Sequence, residues 1–376
     1  MKKLNKEGGM SSGAKRVAAS AAKGARLVTK PFRKKPRLAP GRITTETIAE
    51  HREQVLAGGR RFKYPIQYAR HRLVFNTIII VVAALILLLV VGWWQLYRTQ
   101  NSSEFMYRVT RVMPVPVASV DGKTVSYADY LMRYRSSIHY KEEKEQVNFN
   151  TPEGKVQIAH IKREEMDSAI ADAYASKLAV EKNITVTDVD LQAFLKKQRG
   201  DVSQTTYNAV ILDYYGWSAD EYAQITRAKL LHQRVAYAVD TQATASVNTV
   251  LNMAKSGQTD LKTIADAINA TAKSKVLFAS SGIVPKDNQD GGLAAAATAL
   301  DQGGISAAIR PTNGNGYYIV KKTGGDASNV SYEYIHIPLT MFVAQLEALH
   351  KDGKIKELIS IPEEDVAPAA ATEQTK

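Results

Sequence analysis

The chain has 376 residues, more than one hydrophobic core usually organises, so two or three domains are expected. Its 45% hydrophobic and 23% charged residues are typical of a globular protein and exclude a wholly disordered, collagen-like or polytopic membrane chain. The absence of cysteine excludes disulfides, thiolate metal sites and cysteine nucleophiles.

The positive charge is concentrated in residues 1–72. They hold 19 Lys and Arg against 4 Glu, a net charge of +15, whereas the whole chain carries +13. Residues 1–42 contain too little apolar surface to offset chain entropy, so a basic, largely disordered tail is expected. A short helix is expected over residues 43–57, ending at Gly58-Gly59. The charge favours attraction to anionic lipid over nucleic-acid binding, because no base-reading motif accompanies it.

An uncharged stretch over residues 73–97, from Leu73 to Tyr97, is long enough to cross a bilayer. As a helix it spans roughly 37 Å at about 1.5 Å per residue. Its length and its late start argue against a cleavable signal peptide. Basic residues crowd its N-terminal flank, so the positive-inside rule places residues 1–72 in the cytoplasm and residues 98–376 outside. The sequence therefore predicts a single-pass protein of the cell membrane.

The exported region is expected to begin with a stalk over residues 98–116, because a polar break and two prolines precede the first strand. Residues 117–126 predict a hairpin that turns at Asp121-Gly122, a pair suited to a tight turn. Several helices with apolar residues at helical spacing follow. Each is marked by a capping residue: Ser126, Thr151, Thr187 and Ser218. Residues 117–242 are therefore expected to form a mainly α-helical module.

From residue 243 onward the pattern is that of a small α+β domain. Helical spacing over residues 247–268 is interrupted at Ser256-Gly257, and a short strand, an Ala-rich helix and three β-like stretches follow. A terminal helix is expected over residues 342–359. The predicted boundaries are residues 243–360 for this domain and 361–376 for a disordered tail.

Three segments of the helical module carry motifs. They are Val117-Ala-Ser-Val-Asp-Gly-Lys-Thr-Val-Ser-Tyr-Ala-Asp-Tyr130, Leu178-Ala-Val-Glu-Lys-Asn-Ile-Thr-Val-Thr-Asp-Val-Asp190 and Tyr215-Gly-Trp-Ser-Ala-Asp-Glu-Tyr222. In this order they resemble the N-terminal chaperone region of SurA/PrsA-type extracytoplasmic foldases over about residues 115–240. The resemblance implies binding of unfolded or nascent exported polypeptides through an apolar groove. The candidate client-binding residues are Tyr130, Tyr134, Tyr214, Tyr215, Trp217 and Tyr222.

Four segments of the second domain carry motifs. They are residues 256–265, Gly291-Gly292, residues 299–306 and residues 316–320. They resemble a parvulin-type peptidyl-prolyl isomerase. Tyr318 replaces that family's closing-strand histidine, and the segment after Gly292 is too short for its proline pocket. His336 would take the place of the first histidine if the sheet were permuted; the alternative is a histidine on an ordinary edge strand. The resemblance implies a degenerate domain with weak or absent isomerase activity and with His336 and Tyr318 as catalytic candidates.

No other catalytic chemistry is indicated. The seven histidines lack metal-ligand spacing, and no H-E-x-x-H, G-x-S-x-G or Walker motif occurs, so neither a metal nor a cofactor is expected. The sequence predicts a single-pass membrane protein with a mainly α-helical chaperone module plus a small α+β parvulin-like domain. Its expected function is that of a chaperone for exported chains. Two alternatives remain: an active peptidyl-prolyl isomerase and a non-catalytic envelope scaffold.

Overall fold

The structure, a computed structural model, describes residues 44–361 except residues 64, 273 and 313. The disorder predicted for residues 1–42 and for most of the C-terminal tail falls outside the described residues. The described part is mainly helical (61%) and contains small antiparallel sheets. The chain divides into two compact units, Met1–Leu85 and Ile86–Lys376.

The first unit contains helix α1 (Thr45–Lys63) and most of helix α2 (Pro65–Trp93). Helix α1 continues through Gly58-Gly59, where a stop was predicted, because two glycines lower helix stability by only about 2 kcal/mol. The apolar stretch of α2 is long enough to cross a bilayer, and none of it is buried against protein. The helix is therefore a candidate membrane span, as the sequence predicts.

The second unit includes the end of this helix, which widens into a π-helical turn (Trp94–Arg98). Leu96 in this turn is buried. The Tyr127 hydroxyl donates a hydrogen bond to the carbonyl of Leu96 at 2.7 Å, and the Tyr97 hydroxyl donates to the carbonyl of Pro116 at 2.6 Å. The turn is thus part of the folded module.

A short helix, α3 (Glu104–Val112), follows this turn. The Ser103 hydroxyl accepts a hydrogen bond from the backbone of Met106, so the polar break is a helix cap. Met106 and Tyr107 are buried in the same core as the next helices. The stalk predicted over residues 98–116 is therefore wrong, because the cap and the two buried side chains hold most of this segment against the module.

The predicted hairpin is confirmed as β1 (Pro116–Val120) and β2 (Lys123–Ser126). Asp121 (φ 45°) and Gly122 (φ 81°) both adopt left-handed backbone conformations at the turn. Five helices follow: α4 (Tyr127–Glu143), α5 (Pro152–Glu181), α6 (Asp188–Arg199), α7 (Gln204–Tyr215) and α8 (Ala219–Val239). All four predicted caps accept backbone hydrogen bonds, and Thr187 and Ser218 form full capping boxes.

The core of this module is built around α5. Its buried stripe of Met166, Ile170, Tyr174 and Leu178 has the predicted four-residue spacing. Helices α4 and α8 and the hairpin pack against α5 and bury Tyr127, Leu131 and Val235. We call residues 96–240 together with the C-terminal segment described below the helical module.

The second domain comprises helices α9 (Thr241–Lys255), α10 (Leu261–Thr271) and α11 (Leu293–Thr298) and strands β3 (Leu277–Pro285), β4 (Gly316–Gly325) and β5 (Asn329–Pro338). The antiparallel sheet has the order β3-β5-β4. Helices α9 and α10 cover one sheet face, at Ile319 and Ile335, and α11 covers the other, at Val320. His336 thus lies on the central strand, so its assignment to an edge strand is wrong.

The C-terminal segment returns to the helical module. It forms helix α12 (Met341–Lys351) and strand β6 (Ile355–Glu357), which pairs with β1 in the sheet order β2-β1-β6. Phe342, Ile359 and Ile361 are buried in the core that contains the hairpin. The single terminal helix predicted over residues 342–359 is therefore wrong, because the chain leaves the helix after Lys351 to complete this sheet. The predicted domain of residues 243–360 likewise ends near residue 340.

Asp240 holds both connections between the helical module and the α+β domain. Its side chain is almost fully buried. One carboxylate oxygen accepts from the backbone of Ala243 at 2.7 Å, and the other accepts from Thr340 at 2.6 Å and from Met341 at 3.0 Å. The α+β domain is therefore an insertion whose two ends meet at one carboxylate.

We expect Phe342→Ala to destabilise the helical module by about 3–5 kcal/mol, because it removes a buried ring from the core. The ring lies 5.6 Å from that of Tyr174 and 4.4 Å from that of His232. The matched control is the exposed neighbour, Val343→Ala, which should stay within about 0.5 kcal/mol of the parent. Chemical denaturation of both variants provides the measurement, and equal midpoints would contradict the assignment of residues 341–361 to this core.

Candidate functional site

Helix α7 leaves most of its apolar side chains in solvent. Ile211 is its one buried residue. The exposed apolar residues are Val210 (47% exposed), Leu212 (57%), Tyr214 (45%) and Tyr215 (41%). Several exposed apolar side chains on one helix indicate a surface that another molecule covers.

The helix ends at Gly216, whose left-handed backbone (φ 66°) turns the chain toward α8. A Cβ at this position would lie 3.3 Å from the His139 ring, so the turn packs closely on α4. Trp217 follows, and its indole nitrogen donates to the carbonyl of Met132 at 3.1 Å. Ser218 then caps α8. The turn thus holds Trp217 in one orientation beside the end of α7.

The aromatic residues near this turn form one connected group. Tyr215 stacks on Trp217 at 5.2 Å and on Tyr222 at 6.3 Å between ring centroids. Tyr222 contacts Tyr207 edge to face at 6.1 Å. We call the following residues the aromatic cluster: Tyr140, Tyr207, Tyr214, Tyr215, Trp217 and Tyr222. Four of the six predicted client-binding residues therefore lie together.

The other two predicted client-binding residues lie elsewhere. Tyr130 and Tyr134 are buried, and their rings stack at 5.9 Å inside the core of α4 and α5. Burial also raises the pKa of both hydroxyls. These two tyrosines are therefore core residues, because the inward face of α4 carries them away from solvent.

Two members of the aromatic cluster, Tyr140 and Tyr207, were not among the predicted residues. Tyr207 and Tyr214 lie two helical turns apart on α7, a spacing that places them along the same side of the helix. The sequence could therefore have indicated, from this spacing, that Tyr207 lies on the same side of α7 as Tyr214. Tyr140 comes near Tyr214, at 6.4 Å, only through the packing of α4 against α7, for which the sequence carries no local signal.

A groove of about 560 Å³ lies on one side of the aromatic cluster, between α4, α5 and the end of α7. Its lining includes Ser137, Tyr140, Ile161, Glu165, Tyr214 and Trp217. We call it the α4–α5 groove. A second cavity, of about 360 Å³, lies on the other side between α6, α7 and α8 and includes Leu195, Tyr207 and Tyr222. The cluster is thus flanked by two depressions that are large enough for amino-acid side chains.

The carboxylate of Glu221 lies beside the aromatic cluster. Glu221 accepts from the Tyr107 hydroxyl at 2.6 Å and from the backbone of Ser218 at 2.8 Å. Burial by itself would raise the pKa of Glu221, but these hydrogen bonds hold it below its usual value. Glu221 therefore fixes the start of α8, which Ser218 caps as predicted, on helix α3.

The two catalytic candidates of the α+β domain are brought together. Tyr318 on β4 and His336 on β5 are direct cross-strand partners, and their rings stack at 4.4 Å with a 13° interplanar angle. The His336 Nε2 atom lies 3.1 Å from the carbonyl of Asn315. Both side chains are partly exposed. Within the described residues, no group of three or more His, Asp or Glu side chains is arranged to hold a metal ion.

Comparison with known proteins identifies one domain. Residues 67–236 match the family model of the SurA-like N-terminal domain, a range that includes the candidate membrane span, the hairpin and the aromatic cluster. No parvulin domain is detected in the chain. A search of curated proteins found no match. Residues 67–236 are therefore similar to the SurA-like N-terminal domain, which supports a relation to SurA/PrsA-type chaperones.

Proposed function

We propose that this protein is a membrane-anchored extracytoplasmic chaperone that holds unfolded exported polypeptides on its aromatic cluster. The SurA-like domain supports the functional class. The observation that carries the proposal is the set of exposed apolar side chains on α7, the helix that contributes to this cluster and to both cavities.

The chemistry of such a site is reversible burial. An unfolded client offers apolar side chains at irregular spacing, and their removal from water contributes about 25 cal/mol per Å². Tyrosine and tryptophan suit this task because they are large and lose little conformational entropy on contact. Trp217 is already held by its hydrogen bond to Met132, so its ring is ordered before a client arrives.

We further propose that residues 73–97 anchor the protein, with the basic tail on the cytoplasmic side and the helical module outside. The uncharged helix and the basic residues before it support this orientation. The tail would contribute about 1 kcal/mol per basic residue near an anionic leaflet. The proposed domains are the tail (1–72), the anchor (73–97, whose last two residues also pack in the helical module), the helical module (96–240 with 341–361) and the inserted α+β domain (241–340).

A second candidate function, prolyl isomerisation, is favoured by one observation, the stacked pair of Tyr318 and His336. In this proposal the α+β domain is a permuted parvulin-like domain, in which the late strand β5 supplies the first histidine. The central position of β5 beside β4 supports it. A permuted strand order is also compatible with the lack of a match to a parvulin domain, because such models follow the chain order.

We expect the double variant Val210→Ser, Leu212→Ser to weaken client binding about tenfold, because roughly 1.4 kcal/mol of apolar contact is lost. The measurement is suppression of aggregation of an unfolded model protein by the full chain in detergent or nanodiscs. The control is Ile283→Ser, which alters a strongly exposed apolar residue in the α+β domain. No suppression by the parent protein, together with a stable stoichiometric partner, would instead support the scaffold alternative.

The topology can be measured because the chain contains no native cysteine. We expect Val189→Cys, on exposed α6, to react with an impermeant maleimide in spheroplasts. His51→Cys, on exposed α1, should react only after the membrane is permeabilised. The reverse pattern of labelling would overturn the proposed orientation.

If the second candidate function is correct, the full chain accelerates cis–trans isomerisation of an Xaa-Pro peptide, whose uncatalysed barrier is about 18–20 kcal/mol. We then expect His336→Ala and Tyr318→Ala to lower kcat/KM at least tenfold. His350→Ala, which changes an exposed histidine outside the pair, should leave kcat/KM unchanged. A rate equal to that in buffer rules out isomerase function and leaves the chaperone proposal intact.

A further inference from the structure

One carboxylate in the α4–α5 groove, that of Glu165, lies outside the ion pairs formed among the described residues. Glu165 lies in the groove lining and is partly buried, and it accepts a hydrogen bond from the Ser137 hydroxyl. Within the described part of the chain, no lysine or arginine nitrogen forms an ion pair with it. The nearby guanidinium of Arg133 instead pairs with Asp172. Glu165 therefore presents a negative charge toward the groove.

The remaining charges of the groove are already paired or exposed. Lys141 forms an ion pair with Glu145 at 2.7 Å. Glu164, the neighbour of Glu165, is 64% exposed and faces His160 at 3.9 Å. Two acidic residues line the groove. Glu165 is more buried than Glu164, so solvent screens the charge of Glu165 less.

The walls around Glu165 are aromatic. Tyr140, Tyr214, Tyr215 and Trp217 all line the same groove. Aromatic faces attract cations, and the effect grows as water is excluded. The Lys144 ammonium lies 5.0 Å from the centre of the Tyr214 ring, so one ring of this wall already carries such a contact. Aromatic walls around an unpaired carboxylate match a Lys or Arg side chain with an apolar stem.

We propose that the α4–α5 groove selects client segments in which a lysine or arginine neighbours an aromatic residue, with Glu165 as the counter-ion. The inference rests on the proposed chaperone function and names the client chemistry that the site prefers. The client's aromatic side chain packs on Tyr215 and Trp217, and its cationic head meets Glu165 and the hydroxyl of Ser137.

The charge of Glu165 gives this preference a physical reason. Burial raises the pKa of Glu165 because desolvation disfavours its charged form, while the Ser137 hydrogen bond and the nearby Arg133 guanidinium partly oppose the rise. A client cation would offset this cost, whereas a neutral side chain of the same length would not. A single partly buried charge pair of this type changes affinity by about tenfold.

The test compares two peptides that differ at one position, which carries lysine or its uncharged analogue norleucine between two aromatic residues. Binding to the full chain in nanodiscs is measured by fluorescence anisotropy. We expect the parent protein to bind the lysine peptide about tenfold more tightly. Glu165→Gln should bring the ratio of the two Kd values close to one without weakening binding of the norleucine peptide. Glu164→Gln, the adjacent matched control, should keep the parent ratio.

A charge reversal provides the second measurement. Glu165→Lys should favour a glutamate peptide over the lysine peptide, and circular dichroism checks that each variant is folded. The inference is overturned if the Kd ratio of the parent is near one or if Glu165→Gln leaves the ratio unchanged. Tight binding of both peptides with no preference leaves the chaperone proposal standing, whereas no binding of either peptide counts against both.

Discussion

The return of the C-terminal segment to the first hairpin is the contact on which the rest of the helical module depends. Strand β6 pairs with β1, and Phe342 packs between α5 and α8. Because these contacts join residues 110 to 239 positions apart, the α+β domain between them must leave and re-enter the module at nearly one point. Asp240 marks this point by accepting hydrogen bonds from both connections.

A module closed in this way can expose one helix without losing its core. Helix α7 contributes a single buried residue, so its exposed apolar side chains are available to contact another molecule. The glycine turn after α7 and the hydrogen-bonded Trp217 fix the neighbouring rings. The result is an ordered aromatic surface on a stable scaffold, the combination that reversible binding of unfolded chains requires.

The tyrosines of α4 and α7 show why residue type alone does not identify a binding surface. Tyr130 and Tyr134 stack with one another in the core, whereas Tyr214 and Tyr215 are exposed and contact each other at 6.5 Å between ring centroids. Both helices carry aromatic residues at helical spacing. Their different burial follows from the number of elements that cover each helix, which is a property of the assembled fold and not of either sequence segment.

The sequence by itself determined the features that depend on neighbouring residues: the apolar span, the Asp121-Gly122 turn, the helix caps and the stripe on α5. Turns, caps and periodic patterns depend on a few neighbouring residues, so they can be recognised in the sequence without knowledge of the fold. Only the tertiary structure decided that α3 packs on the module, that β5 lies at the centre of its sheet and that the chain end completes the first core. It also decided that Glu165 lines the same groove as four aromatic residues. These outcomes rest on contacts between distant segments, whose pairing is chosen by packing of the whole chain.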